Sequence, residues 1–177
     1  MIVSAGNEEI FSFAREIGVG LTETAINLTR ICLFDRPSSI IFVGSAGSYN
    51  PKKHKIFDIV SSSSASQIEL SFIQKKSYTP IDNFVTASVE KEVVVNCSNY
   101  ITTDKISALA LDKMGFEIEN MEFYSVVKVA KEFNIPVRGY FVITNYCDNN
   151  GHQQYLNNIK DGKITLIKYL KKKGIIK

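Results

Sequence analysis

The chain has 177 residues, 45% of them hydrophobic, and a formal net charge of +3. That length suits one domain with a full core, spanning 1–177, and no run approaches the ~20 apolar residues of a membrane span. The positive charge gathers in Lys171, Lys172, Lys173 and Lys177 and in Lys52, Lys53 and Lys55, a pattern of solvated lysines and a helix end suited to the dipole, so no nucleic-acid partner is expected. Three cysteines (Cys32, Cys97, Cys147) show no CxxC spacing and cannot all pair. They point to a reducing cytoplasm and away from structural zinc. The chain opens directly on a strand-like run without a basic leader, so no signal peptide is expected.

Residues 1–5 predict a strand. Gly6-Asn7-Glu8-Glu9 then makes a tight turn, its glutamates suited to a helix first turn, with Ile10, Phe11, Phe13 and Ala14 as the buried face of that helix. Gly18-Val19-Gly20 precedes an amphipathic run through Ala25, Ile26, Leu28, Cys32 and Leu33 at helical spacing. A glycine turn opening a helix can present N–H groups to an anion, although the third glycine of a dinucleotide fingerprint is absent. Residues 40–43 are apolar on both faces, as in a buried parallel strand. They run into Gly44-Ser45-Ala46-Gly47-Ser48, read as a small-residue turn through which a ligand can approach the backbone.

Residues 56–60 predict another strand, followed by four serines read as exposed. Ile68, Leu70 and Phe72 alternate as a half-buried strand would, and residues 74–83 are a polar excursion. Short strands are expected at residues 85–88 and 93–96, the first ending just before residues 89–91. Thr103 or Asp104 can cap a helix that ends at Gly115. Residues 115–119 predict a strand, 121–133 a helix carrying Phe123, Val126, Val127 and Ala130 on its apolar face, and 136–144 a strand ending in polar Thr144, Asn145 and Asp148. A closing helix spans about 153–173, with Gly162 as a point where it could kink or split. Alternating strands and helices predict an α/β fold, a three-layer sandwich with a central mixed, largely parallel sheet flanked by helices. Ligands of such sheets bind at the carboxyl ends of strands. The polar clusters Asn120/Met121/Glu122 and Thr144/Asn145/Asp148 therefore mark one candidate cleft.

These segments together resemble the nucleoside phosphorylase/nucleosidase family, which includes purine nucleoside phosphorylases and methylthioadenosine/S-adenosylhomocysteine nucleosidases. The resemblance runs from about residue 18 to 170. It rests on Gly18-Val19-Gly20, on Phe42-Val43-Gly44-Ser45-Ala46-Gly47, on Asp58-Ile59-Val60, on Asn120-Met121-Glu122, and on Asn134-Ile135-Pro136-Val137 leading to Ile143-Thr144-Asn145. It implies cleavage of the N-glycosidic bond of a purine nucleoside in a cytoplasmic homo-oligomer, without a metal or a cofactor. Met121 would pack on the ribose and Glu122 accept its hydroxyls through charge-assisted bonds. Tyr100 would stack on the base, with Ile101 beside it. Gly20, Ser45, Ala46 and Gly47 would face phosphate, the co-substrate of a phosphorylase, or water.

In adenine-cleaving members an aspartate acts at N7 of the departing base; the matching residue here is Asn145, whose amide donates a hydrogen bond but no carboxyl proton. An Ile-Thr-Asn triplet also resembles the trimeric phosphorylases of 6-oxopurines, which favours an inosine- or guanosine-like substrate. Asp148 would serve as an acid if its loop turned back; the plainer reading makes it a turn or helix cap. Phe42 stands where hexameric phosphorylases place a phosphate-binding arginine. Arg15, Arg30, Arg36 and Arg138 are the remaining cation candidates. Phosphorolysis is the first expectation, with a hydrolytic nucleosidase and a non-catalytic nucleoside-binding member as alternatives.

Overall fold

A computed structural model of the protein describes residues 1–88 and 92–177. In chain order the elements are β1 (Ile2–Ser4), a 3₁₀ turn (Asn7–Glu9), β2 (Arg15–Glu16), α1 (Gly20–Asp35), β3 (Ile40–Ser48), β4 (Ile59–Ser62), β5 (Ser64–Ser66), α2 (Leu70–Ile73), β6 (Phe84–Thr86), β7 (Val94–Cys97), α3 (Lys105–Lys113), β8 (Phe116–Asn120), α4 (Phe123–Glu132), β9 (Val137–Tyr146) and α5 (Gly151–Lys172). The strands form one mixed sheet in the order β2-β1-β3-β8-β7-β5-β6, with β9 also paired to β3 and β4 to β9. Pairings β1·β2, β1·β3, β3·β9, β5·β7 and β7·β8 are parallel; β3·β8, β4·β9 and β5·β6 are antiparallel.

Helices cover both faces, as the apolar runs demand. Buried residues of α1 (Leu28, Ile31, Cys32) and α4 (Phe123, Val126, Val127, Ala130) share one core with Phe42, Phe141 and Ile143 of the central strands. Phe42, Phe123 and Phe141 pack with ring centroids 5.0–5.8 Å apart, a spacing favourable for aromatic rings. Phe42 is thus a core residue under α4. Val43 and Val142 point the other way, onto Leu166 and Leu170 of α5. A third cluster joins Tyr49, Ile68, Ala108, Leu111 and Cys147. Among the described residues no helix is long and apolar enough to cross a membrane.

Several local expectations change. Residues 10–14 form no helix; the glutamates sit in the 3₁₀ turn, and Phe11 packs with α5 instead. Residues 44–48 are not a turn but the second half of β3. Their small side chains leave room for Glu9, Asn145 and Cys147: a Cβ on Gly44 would sit 2.6 Å from Glu9 Oε2, and one on Gly47 2.9 Å from both Asn145 Nδ2 and Cys147 Sγ. The serines 62–64 are buried. The hydroxyls of Ser62 and Ser64 are satisfied, Ser62 Oγ donating to Val93 O and Ser64 Oγ to Glu92 Oε1, and the Ser63 N–H donates to Glu92 Oε1. Residues 70–73 form a helical turn, so the alternation of Ile68, Leu70 and Phe72 does not mark a strand. α5 runs unbroken through Gly162, which lies against Val142 and Thr144. Glycine here permits close helix–sheet packing. Asp104 caps α3 by accepting from Ser107 N at 2.8 Å.

Candidate active site

The carboxyl ends of β3, β8 and β9 meet the turn after β1, the entry to α1 and the start of α5. Between them lies a cavity of about 220 Å³. Its wall includes Glu9, Val19, Ser45, Ala46, Gly47, Ile101, Glu119, Asn120, Met121, Glu122, Asn145, His152 and Tyr155. Of the two polar clusters expected at strand ends, Asn120, Met121, Glu122 and Asn145 therefore border one space, and Thr144 and Asp148 do not.

Glu122 is 4% exposed and accepts the backbone N–H of Gly20 at 2.9 Å. Its place at the start of α4 comes from Asn120, whose Oδ1 accepts the N–H groups of Glu122 and Phe123 at 2.9 and 2.8 Å. Asn120 so performs the N-terminal capping, a task in which the Glu122 carboxylate takes no part. Burial, then the nearby charge of Glu9, push the Glu122 carboxyl up to about 7, against the pull of the Gly20 hydrogen bond. Gly20 itself has φ +82 and a built Cβ there would lie 2.9 Å from Asn99 Oδ1, so the position needs glycine.

Glu9 is the residue that sequence reading assigned to a helix turn and did not connect to the site. It is buried at the floor of the cavity, with both oxygens on Ser45: Oε2 accepts Ser45 N–H at 3.0 Å and Oε1 accepts the Ser45 hydroxyl. Burial raises its carboxyl above the usual range, while the Ser45 bonds and, more weakly, Lys163 pull it down. The available signal was Gly44, a glycine inside an otherwise bulky buried strand, which often marks close approach by another group.

Asn145 is buried, and its amide orientation is set locally. Oδ1 accepts the Thr144 hydroxyl at 3.0 Å and Nδ2 donates to Tyr146 O at 3.3 Å. One amide hydrogen is left for the cavity.

The other expected site residues are placed as follows. The donors assigned to phosphate are taken by carboxylates: Gly20 N–H by Glu122, and Ser45 N–H and hydroxyl by Glu9. Ala46 and Gly47 line the cavity but run within β3, paired to β9 and β8, and form no open anion-binding loop. Among the described residues no Lys or Arg lines the cavity. Arg15 pairs with Asp35, Arg138 lies 3.8 Å from Glu92, and Arg30 and Arg36 are exposed. Asp148 is a turn residue: Oδ1 accepts Asn150 N–H at 2.8 Å and its carbonyl accepts Gly151 N–H. It does not line the cavity. Tyr100 is 77% exposed. It borders a neighbouring cavity of about 410 Å³ with Glu69, Ser98 and Thr102. Ile101 and Glu119 line both spaces. Among the described residues no group of His, Cys, Asp and Glu is placed to hold a metal ion.

Fold and site together define an α/β protein with a buried, carboxylate-lined cleft at the ends of its central strands. A family model, the phosphorylase superfamily, matches residues 2–172, and the chain belongs to that family. Solved structures with the same fold include a futalosine hydrolase mutant of Helicobacter pylori, 19% identical over 96% of this chain and 95% of that one, with a TM-score of 0.79. A mutant of the Helicobacter pylori methylthioadenosine/S-adenosylhomocysteine nucleosidase, with 5'-methylthioadenosine in its active site, is 17% identical over 97% and 95%, with a TM-score of 0.80. The Streptococcus pneumoniae nucleosidase of that type, in complex with 8-aminoadenine, is 12% identical over 96% and 97%, with a TM-score of 0.72. No curated protein matches the chain in sequence.

Proposed function

We propose that the chain hydrolyses the N-glycosidic bond of a purine nucleoside. The observation that carries this reading is Glu9, whose carboxylate occupies both donors of Ser45 where phosphate would have to bind. An anion entering there meets a carboxylate and finds no lysine or arginine among the described residues of the lining. Water meets a general base. Glu9 takes the proton of that water, and its raised pKa suits work near neutrality. Glu122 accepts the ribose hydroxyls, Met121 packs on the sugar, and the two carboxylates stabilise the positive charge that builds on the sugar as the bond breaks. Asn145 donates to N7 of the departing base through its free amide hydrogen. Because it transfers no proton, the reading includes a 6-oxopurine base. The hydrolases among the structural relatives support the water-dependent chemistry. We further propose a cytoplasmic homo-oligomer: the three cysteines are free and buried, and Leu33 and Phe34 stand exposed at the end of α1.

The test incubates the protein with inosine, guanosine, adenosine and methylthioadenosine, each with and without phosphate, and measures free base and free ribose. Base release at equal rates without phosphate is expected. Release that requires phosphate restores phosphorolysis, and binding without release from any nucleoside leaves a binding protein.

A further inference from the structure

The turn that carries Glu9 depends on its neighbours. Asn7 has φ +51, left-handed backbone in a non-glycine residue, which persists where the surroundings hold it. No side chain caps the turn, and its own backbone bond runs from Glu9 N–H to Gly6 O at 2.9 Å. One side is fastened to β3 through Glu9 and Ser45. The other side meets α5, 155 residues away in sequence. There Lys163 Nζ donates to Glu8 O at 3.0 Å. It also stands over the Phe11 ring, 5.3 Å from the centroid, within range of a cation–π attraction. Phe11 in turn packs with Leu166 and Leu170.

The helix reaches the turn because Gly162 lets it lie close to the sheet: a Cβ there would sit 3.2 Å from Thr144 Cγ2. Lys163, the next residue, is half-buried and does not line the cavity. Its charge therefore stands behind Glu9, outside the space that a nucleoside enters. Other elements bring different groups to Glu9. Glu8 precedes it in the turn, and Glu122 at the start of α4 and Tyr155 on α5 both feel its charge. Glu16 on β2 lies against Gly6, and His152 on α5 borders the same cavity. Ser45 on β3 gives hydrogen bonds but no charge. Lys163 is the cation that acts on Glu9, in the direction of ionisation.

We propose that Lys163 is a positioning residue for the hydrolysis: from α5 its ammonium fastens the turn that aims Glu9 at Ser45 and supplies the charge that complements the buried carboxylate. A carboxylate takes the proton of water and a carboxylic acid does not, so this charge sets how much of the protein is poised to react at a given pH. A cation inside the cavity would do the same but would also hold an anion. Behind the turn it does only the first. The inference rests on the reading of Glu9 as the general base.

Lys163→Met removes the charge and keeps a stem over Phe11; Lys163→Arg keeps the charge. Glu9 is followed directly by carbon NMR of the full chain labelled at the glutamate carboxyls, its signal identified by its loss in Glu9→Gln. The Glu9 titration midpoint is expected to rise by about half a pH unit in Lys163→Met and to return toward the wild-type value in Lys163→Arg. The acid limb of kcat/KM should move the same way, a loss of about threefold along that limb. Glu122 shapes the same limb, so the NMR midpoint decides. Salt at about 0.5 M should shrink the difference between Lys163→Met and the wild type, because it screens a half-exposed charge, whereas lost packing would not respond so. If Lys163→Met does not fold, Lys163→Gln replaces it with the same expected rise. An unchanged Glu9 midpoint in the folded neutral variant overturns the proposal, as does an equal rise in Lys163→Arg. A shifted midpoint in a chain that cleaves no nucleoside overturns the catalytic reading and not the pairing of Lys163 with Glu9. Hydrolysis that is lost in Glu9→Gln but indifferent to Lys163 overturns this inference alone.

Discussion

The carboxylate of Glu122 and the backbone N–H of Gly20, 102 residues apart in sequence, form a buried hydrogen bond of 2.9 Å. It ties the start of α4 to the start of α1, whose buried faces already share a core. Sugar binding and helix packing thus use one contact. Gly20→Ala tests it. The new methyl would lie 2.9 Å from Asn99 Oδ1 on a backbone with φ +82, and Asn99 would have to release its bond to Leu21 N–H. A left-handed non-glycine residue costs about 1–2 kcal/mol, so a drop of roughly that size in unfolding free energy is expected by denaturant titration. The nucleoside KM should rise as well, since Glu122 loses its anchor. An unchanged KM would separate the sugar site from the helix start.

Glu9→Gln removes a base while keeping shape. The amide oxygen can still accept Ser45 N–H, and its NH₂ can donate to the Ser45 hydroxyl once that hydroxyl turns. Folding should therefore survive. Loss of a general base typically costs 10²–10⁴-fold in rate, so kcat is expected to fall about that far with little change in KM. Steady-state kinetics on the preferred nucleoside provide the measurement. A variant as active as the wild type would assign water activation elsewhere.

The raised carboxyl of Glu122 links stability to pH. Its folded value of about 7 lies above the ordinary 4.5. Below about pH 4.5 both states are protonated and no penalty exists. As pH rises through 7 the folded state must ionise a buried group, and the stability that protonation provided is lost. The full difference is on the order of 3 kcal/mol. Thermal melts should show the midpoint falling between pH 5 and 8, and Glu122→Gln should flatten that fall. Activity should move the other way, rising as Glu122 becomes a charged acceptor for ribose. A wild type and variant with parallel stability profiles would remove Glu122 as the source.

Much of this arrangement was legible from local pattern. The buried runs at 40–43 and 137–143 form the central parallel pair, and Asp104 and Gly115 bracket α3 as capping chemistry requires. Met121, Glu122 and Asn145 converge because strand ends of one sheet do. Several differences share one physical cause, contacts between residues distant in sequence. Gly44 and Gly47 read locally as turn residues, yet their missing side chains make room for Glu9 and Asn145 within a continuous strand. Glu9 reads as a helix-turn acid because its partner Ser45 lies 36 residues away. Tyr100 reads as a stacking aromatic; here it stands in solvent after a bend in which Ser98 Oγ accepts its N–H, and half-exposed Ile101 borders the cavity. Alternation at 68–72 was overridden by a single helical turn.

Asn145→Asp converts a donor into a potential acid at the leaving-group edge. The Thr144 hydroxyl would still donate to one carboxylate oxygen, as it does to Oδ1 now. The other oxygen would replace Nδ2, which donates to Tyr146 O at 3.3 Å. A charged oxygen facing that carbonyl is repelled, and burial disfavours the charge further, so the carboxyl should hold its proton toward neutral pH. The nearby start of α5 works against this, since a helix N-terminus favours negative charge. A retained proton can pass to N7 as the bond breaks, which an amide cannot supply. Adenosine cleavage, the reaction most dependent on N7 protonation, is expected to rise at least tenfold in kcat/KM, with a new descending limb at high pH where the acid ionises. Inosine cleavage, in which the lactam ring spreads the departing charge, should gain less. The paired pH–rate profiles measure this, and an adenosine rate that stays flat would place proton delivery at another group.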